Sequence, residues 1–230
     1  MTLDVQSPDL TLAVIGCGVM GQGIAQIAAQ AGCRVLMLDA RPGAAESAKA
    51  AIAGTLAKLA ERGKIAQAGA DAAVALLNPV SAVADLAPAR IVIEAIVEAI
   101  DAKRQLLREL EAVVAEDCLI ATNTSSLSVT AFAAAAKQPG RVAGFHFFNP
   151  VPLMKVVEVI DGALTAPWVA PALTALARRM GHRPVKAKDT PVKTVVVFKR
   201  TGQDIHIEEG RDVWWHRELE YVDAKCPAVA

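Results

Sequence analysis

The residues best suited to chemistry fall into two groups. The first is Gly16-Cys17-Gly18-Val19-Met20-Gly21, a G-x-G-x-x-G between an apolar run and a helical one. In such a loop Gly16 makes the tight turn and Gly18 lets a pyrophosphate approach the backbone. Gly21 lets the helix pack close to the strand. Gly18, Val19 and Met20 then bring N–H groups and the positive helix end to the phosphates. A second apolar run ends in Asp39, where a carboxylate for a ribose 2′-hydroxyl belongs. That carboxylate repels a 2′-phosphate, so NAD is the expected cofactor, while nearby Arg41 keeps NADP from being excluded. The second group is His146 and Glu158, on either side of Asn149-Pro150-Val151-Pro152, a segment that must turn the chain. A histidine oriented by a carboxylate is a general acid–base pair. Read by itself, a histidine among phenylalanines, as His146 is, is more often a core histidine satisfied by a backbone carbonyl.

The elements that must position these groups follow from hydrophobic periodicity. Short apolar strands are expected over residues 11–16, 34–39, 91–95, 118–122, 141–146 and 154–160. Helices are expected over 21–31, 44–62, 64–77, 101–115 and 167–180, with Asn78-Pro79 stopping the third and Asp101 capping the fourth. Strands alternating with helices imply an α/β fold: a Rossmann-type doubly wound, mostly parallel sheet with flanking helices. Glu94, inside a strand, is a buried carboxylate that needs a partner. Alanine falls and charge rises near residue 190, and Trp214, Trp215 and Tyr221 follow. The expected division is therefore an NAD-binding domain over 1–189 and an atypical tail over 190–230. In that tail, residues 195–198 and 205–207 suit a short hairpin.

Composition removes several function classes. The 230 residues carry 24 basic and 24 acidic side chains, so neither nucleic acid nor an anionic membrane is an expected partner. Hydrophobic residues at 53% argue against disorder. Cys17, Cys33, Cys118 and Cys226 form no Cys-x-x-Cys pair, which argues against a zinc ribbon or disulfide framework. His206, His216, Glu208 and Glu209 lack tight ligand spacing, so no metal is expected. The first basic residue is Arg34, so a secretion signal is not expected and the expected compartment is cytoplasmic. Residues 10–33 are uncharged, but their glycines and the Gln22, Gln26, Gln30 stripe mark strand, turn and helix rather than a membrane span.

Residues 91–98 (IVIEAIVE), 121–128 (ATNTSSLS) and 144–160 (GFHFFNPVPLMKVVEVI) carry a family resemblance. The chain resembles the NAD-binding domain of 3-hydroxyacyl-CoA dehydrogenases from about Leu10 to Pro191. The resemblance implies oxidation of an L-3-hydroxyacyl-CoA to a 3-oxoacyl-CoA, as in fatty acid β-oxidation. It makes His146 the general base and Glu158 its partner. It places Ser125 against both substrate and nicotinamide, and Asn149, Glu98 and Lys103 in contact with NAD. Thr55 and Arg62 fall where the family uses a serine and a lysine for the CoA of an acyl-CoA substrate. After Lys188-Asp189-Thr190-Pro191 the likeness stops. The family's active-site asparagine has no counterpart among Asn78, Asn123 and Asn149, and 39 residues are too few for its helical second domain. The alternative expectation is a truncated, catalytically weak NAD-binding module. An uncovered docking face would favour non-native homo-oligomers.

Overall fold

Every residue of Thr11–Ile15 (β1), Ile91–Glu94 (β4) and Leu119–Thr122 (β5) is buried, as is Arg34–Leu38 (β2) beyond its first residue. Such uninterrupted apolar strands occur where helices cover both faces of a parallel sheet. The computed structural model describes residues 3–189, together with the backbone of 195–201 and 204–210. It divides the chain into two compact units, Met1–Asp189 and Thr190–Ala230.

The first unit continues through Val19–Gln30 (α1), Ala44–Glu61 (α2), Gln67–Ala75 (α3), Leu77–Pro79 (β3), Ile100–Glu111 (α4) and Val129–Ala133 (α5). Val142–Phe147 (β6), Val156–Asp161 (β7), Val169–Arg179 (α6) and Arg183–Lys188 (β8) complete it. The sheet order is β3-β2-β1-β4-β5-β6-β7-β8, so the strand order reverses direction between β1 and β4. Every pairing is parallel except β6 with β7. Alternation along β1 feeds two cores. Leu12 and Val14 pack with Ile24 of α1, Ile52 and Leu56 of α2 and Leu173 of α6. Ala13 and Ile15 pack with Leu107 and Leu110 of α4 and Phe132 of α5. This is the Rossmann-type, mostly parallel fold that the strand–helix alternation implies.

Several expectations need correction. The helix expected over 64–77 is shorter, and Leu77–Pro79 is instead an edge strand beside β2. A proline survives there because an edge strand pairs on one side only. The short α5 and the edge strand β8 were not expected at all. Asp101 does not cap α4: Ala99 holds that position, and Asp101 lies in the first turn 3.8 Å from Arg104. The glutamine stripe on α1 lies within buried structure, as expected: Gln26 is buried and donates to Gln30 Oε1 at 3.4 Å.

Among the described residues, no helix is long and apolar enough to cross a membrane. In the second unit, Val195–Thr201 (β9) pairs antiparallel with Asp204–Gly210 (β10), a longer pair than residues 195–198 and 205–207 suggest. Cys226, Trp214, Trp215, His216 and Tyr221 lie outside the described residues, as do the side chains of His206, Glu208 and Glu209.

Candidate active site

The glycine loop leaves β1 and enters α1. Gly16 has φ +91°, and a Cβ there would meet the Ala95 carbonyl oxygen at 2.5 Å. A Cβ at Gly21 would lie 1.7 Å from the Gly16 oxygen, so helix and strand approach as closely as backbone allows. Gly18 differs: nothing lies within 4 Å of its Cβ position. Gly18 is also the N-cap of α1, and no side chain caps the helix. Its first-turn N–H groups are therefore available to an anion. Val19, 72% exposed, stands beside them. Burial pushes the Cys17 thiol up to about 11, so it stays neutral and adds no charge near the loop.

Asp39 follows β2 and is tied to this loop. Its Oδ2 accepts the Cys17 N–H at 2.7 Å and its Oδ1 accepts the Arg41 N–H at 2.9 Å. The Arg41 guanidinium also donates to it. Burial raises the Asp39 carboxyl, but these hydrogen bonds outweigh that and hold it below the ordinary carboxylate range. An open Gly18, two close-packed glycines and an ionised Asp39 fit a dinucleotide. Pyrophosphate would lie on the α1 N-terminus and ribose on Asp39.

The ends of β4 and β5 form a second polar cluster. Glu94 is 1% exposed and has the partners its burial demands. Oε1 accepts from Lys103 Nζ at 2.6 Å and from Ile96 N–H at 2.7 Å, while Oε2 accepts from Thr122 Oγ1 at 2.7 Å. Lys103, also 1% exposed, lies 3.4 Å from Glu98 Oε2 as well. Its place beside Leu107 and Leu110 on the buried face of α4 puts the ammonium under the loop, not on its surface. Glu98 Oε1 collects the next loop. Thr124 Oγ1 donates at 2.6 Å, Ser125 N–H at 2.8 Å and Ser126 N–H at 3.1 Å, with the Ser125 hydroxyl at 3.3 Å. Burial raises the Glu98 carboxyl, but Thr124, Lys103 and the two N–H donors overcome it and bring it to about 2.

The third cluster sits where β7 turns back along β6. The antiparallel register sets His146 directly opposite Glu158. His146 Nδ1 lies 2.7 Å from Glu158 Oε2. A carboxylate only accepts, so Nδ1 carries the hydrogen and Nε2 is left to face a substrate. Glu158 is 1% exposed, and its Oε1 finds no hydrogen-bond partner among the described residues. Phe145 and Phe147 anchor the strand, buried on its other face with ring centroids 4.7 Å apart. Replacing either by alanine would cost about 3–5 kcal/mol, so β6 does not readily roll and His146 keeps its side of the sheet.

Two positioning residues were not singled out in the sequence. Asn123 Oδ1 accepts the Phe147 N–H at 2.8 Å and joins the Ser125 loop to β6. His182 is buried, with Nε2 3.0 Å from the Val151 oxygen, and ties down the 148–155 connector that carries Asn149. Asn123 lies within the ATNTSSLS segment and His182 in no motif, and neither long-range bond leaves a local periodicity. The proposed CoA pair lies on α2: Thr55, exposed, donates to the Ala51 carbonyl at 2.9 Å, and exposed Arg62 is the C-cap.

A strand-order reversal, a glycine loop beneath it and a ribose-directed carboxylate define a dinucleotide-binding domain of the dehydrogenase type. Comparison with known proteins narrows this. A family model described as "3-hydroxyacyl-CoA dehydrogenase, NAD binding domain" matches residues 11–190, and the chain belongs to that family. It is 43% identical over 194 residues to a 3-hydroxyadipyl-CoA dehydrogenase of Escherichia coli K12, covering 83% of this chain and 39% of that protein. A probable 3-hydroxybutyryl-CoA dehydrogenase of Bacillus subtilis is 41% identical over 178 residues, covering 77% and 62%. The crystal structure of 3-hydroxybutyryl-CoA dehydrogenase from Escherichia coli K12 superposes with TM-score 0.78 at 43% identity. It covers 80% of this chain and 39% of that one. The chain thus spans less than two thirds of each relative. Its cofactor is NAD, as the family model's description states.

Proposed function

We propose that the chain catalyses NAD-dependent oxidation of an L-3-hydroxyacyl-CoA, with residues 1–189 as the NAD-binding unit and His146 as general base. The observation that carries this reading is the 2.7 Å contact of His146 Nδ1 with Glu158 Oε2 across adjacent strands. When bound, NAD⁺ supplies the electrophilic carbon that accepts hydride from substrate C3. His146 Nε2 takes the C3 hydroxyl proton, and Glu158 stabilises the resulting imidazolium through Nδ1–H. Because Oε1 has no competing donor, Glu158 serves His146 alone.

The remaining residues orient. Gly18, Val19 and Met20 present the helix end to the pyrophosphate, and Asp39 takes the ribose hydroxyls. Ser125 and Asn149 face substrate and nicotinamide, while Glu98, backed by Lys103, fixes the Ser125 loop. The Ser125 hydroxyl, pointed at the Glu98 carboxylate, keeps its lone pairs for a substrate hydroxyl or carboxamide donor. Thr55 and Arg62 offer a hydroxyl and a cation to the CoA end.

NADH consumption with acetoacetyl-CoA tests the reading against His146→Ala. Loss of a positioned general base lowers kcat by about a thousandfold. Equal turnover in wild type and variant would remove His146 from the chemistry. No turnover in either would leave a unit that binds NAD without acting on this substrate.

A further inference from the structure

The carboxylate that the fold offers to a ribose is already engaged on both oxygens. Beyond the two backbone donors, Arg41 Nε lies 3.1 Å from Asp39 Oδ1 and Nη2 lies 3.4 Å from Oδ2. This is a fork of two donors against two oxygens. The 2′- and 3′-hydroxyls of a ribose engage a carboxylate with the same two-on-two geometry. After one backbone N–H each, the two oxygens have their remaining lone pairs turned towards the guanidinium, where the diol would bind. Among the described residues, the Arg41 side chain is held there by this pair alone, and it is 72% exposed, against 8% for Asp39. Pro42 follows it, and then Gly43 at φ +75°, the N-cap of α2. Arg41 therefore sits on the rim between the ribose carboxylate and the start of α2, exposed to solvent.

We propose that Arg41 determines cofactor selectivity by competing with the ribose diol for Asp39 and, once displaced, serving as counter-charge to a 2′-phosphate. An acidic residue after the second strand alone makes a domain strict for NAD⁺. Here the same acid is partly neutralised and masked by an exposed cation, which weakens NAD⁺ and tolerates NADP⁺. The inference rests on dinucleotide binding to this domain. An exposed ion pair is weak and screened by salt, so its displacement costs little and the effect on affinity is modest.

Isothermal titration of the 230-residue chain with NAD⁺ and with NADP⁺, for wild type, Arg41→Ala and Arg41→Lys, tests it without catalysis. Arg41→Ala should tighten NAD⁺ by about threefold and weaken NADP⁺ by about tenfold. The ratio of the two Kd values cancels what Arg41 contributes to the shared pyrophosphate. Arg41→Lys keeps the charge but not the fork, so NADP⁺ affinity should hold while NAD⁺ tightens. High salt should narrow the wild-type-to-Arg41→Ala gap for NAD⁺. An unchanged ratio, or weaker NAD⁺ binding in Arg41→Ala, would overturn the proposal while leaving NAD binding intact. Absence of binding by wild type and variants alike would instead remove the dinucleotide reading, and the proposal with it.

Discussion

Glu94 and Glu158 are both 1% exposed, and each faces a basic side chain within 2.7 Å, yet the two sites are built differently. Glu94 has three donors shared over both oxygens, from α4, from the loop after β4 and from β5. Its Lys103 partner is as deeply buried as it is. Glu158 has one partner, and that partner, His146, keeps 15% side-chain exposure. A buried charge with both oxygens engaged by several donors has little left to offer a ligand and acts as a fastener. A buried charge with a single, half-open partner can pass its influence outward through that partner. The difference separates a cluster built to hold the site from the pair proposed to react in it.

That contrast is open to breaking. Lys103→Met leaves Glu94 buried without counter-charge and should cost about 3–5 kcal/mol of stability, read from urea denaturation. A cost below about 1 kcal/mol would show that the cluster fastens nothing. Glu158→Gln should do the reverse: kcat falls by about a hundredfold, about 2.7 kcal/mol, while the melting temperature moves by a few degrees at most. Equal damage to Tm and activity would erase the distinction. Glu98→Gln sharpens it, since Glu98 bridges the buried lysine and the Ser125 loop. Its folded carboxyl lies at about 2 against an ordinary 4.5, so its contribution is whole above 4.5 and is lost as pH falls towards 2. Wild type should melt about 3 °C above the variant at neutral pH, with the gap closing below pH 4.5. A gap that ignores pH in that window would mean Glu98 acts by packing alone.

The His146–Glu158 pair was legible in the sequence only through the family resemblance of the segment around it. The Asn-Pro-Val-Pro turn allows the two strands to lie side by side, but a lone histidine among phenylalanines reads as a core residue. The glycine loop and Asp39 are legible because their chemistry is local. Lys103 is the opposite case: a lysine near a helix start reads as solvated. Only the tertiary demand of Glu94 draws it onto the buried face at the spacing of Leu107 and Leu110. Leu77–Pro79 and Arg183–Lys188 escape because edge strands are short or half-polar, so neither period-2 alternation nor an apolar run marks them. The short α5 is held by a remote residue, Asp189, which accepts the Val129 and Thr130 N–H groups at 2.8 and 2.7 Å.

The one antiparallel pairing in the large sheet bears on how this protein can vary in length. Four ladder positions, from Gly144↔Ile160 to Phe147↔Val157, set His146 opposite Glu158. The 148–155 connector does not. Residues can be gained or lost in that connector, altering what approaches His146, while His146 and Glu158 stay opposite each other. One residue deleted within β7, between the ladder's start and Glu158, would turn that carboxylate to the other face of the sheet. Insertions and deletions therefore divide the region into a connector that can change length and a stretch, only a few residues away, that cannot do so without parting the proposed base from its carboxylate.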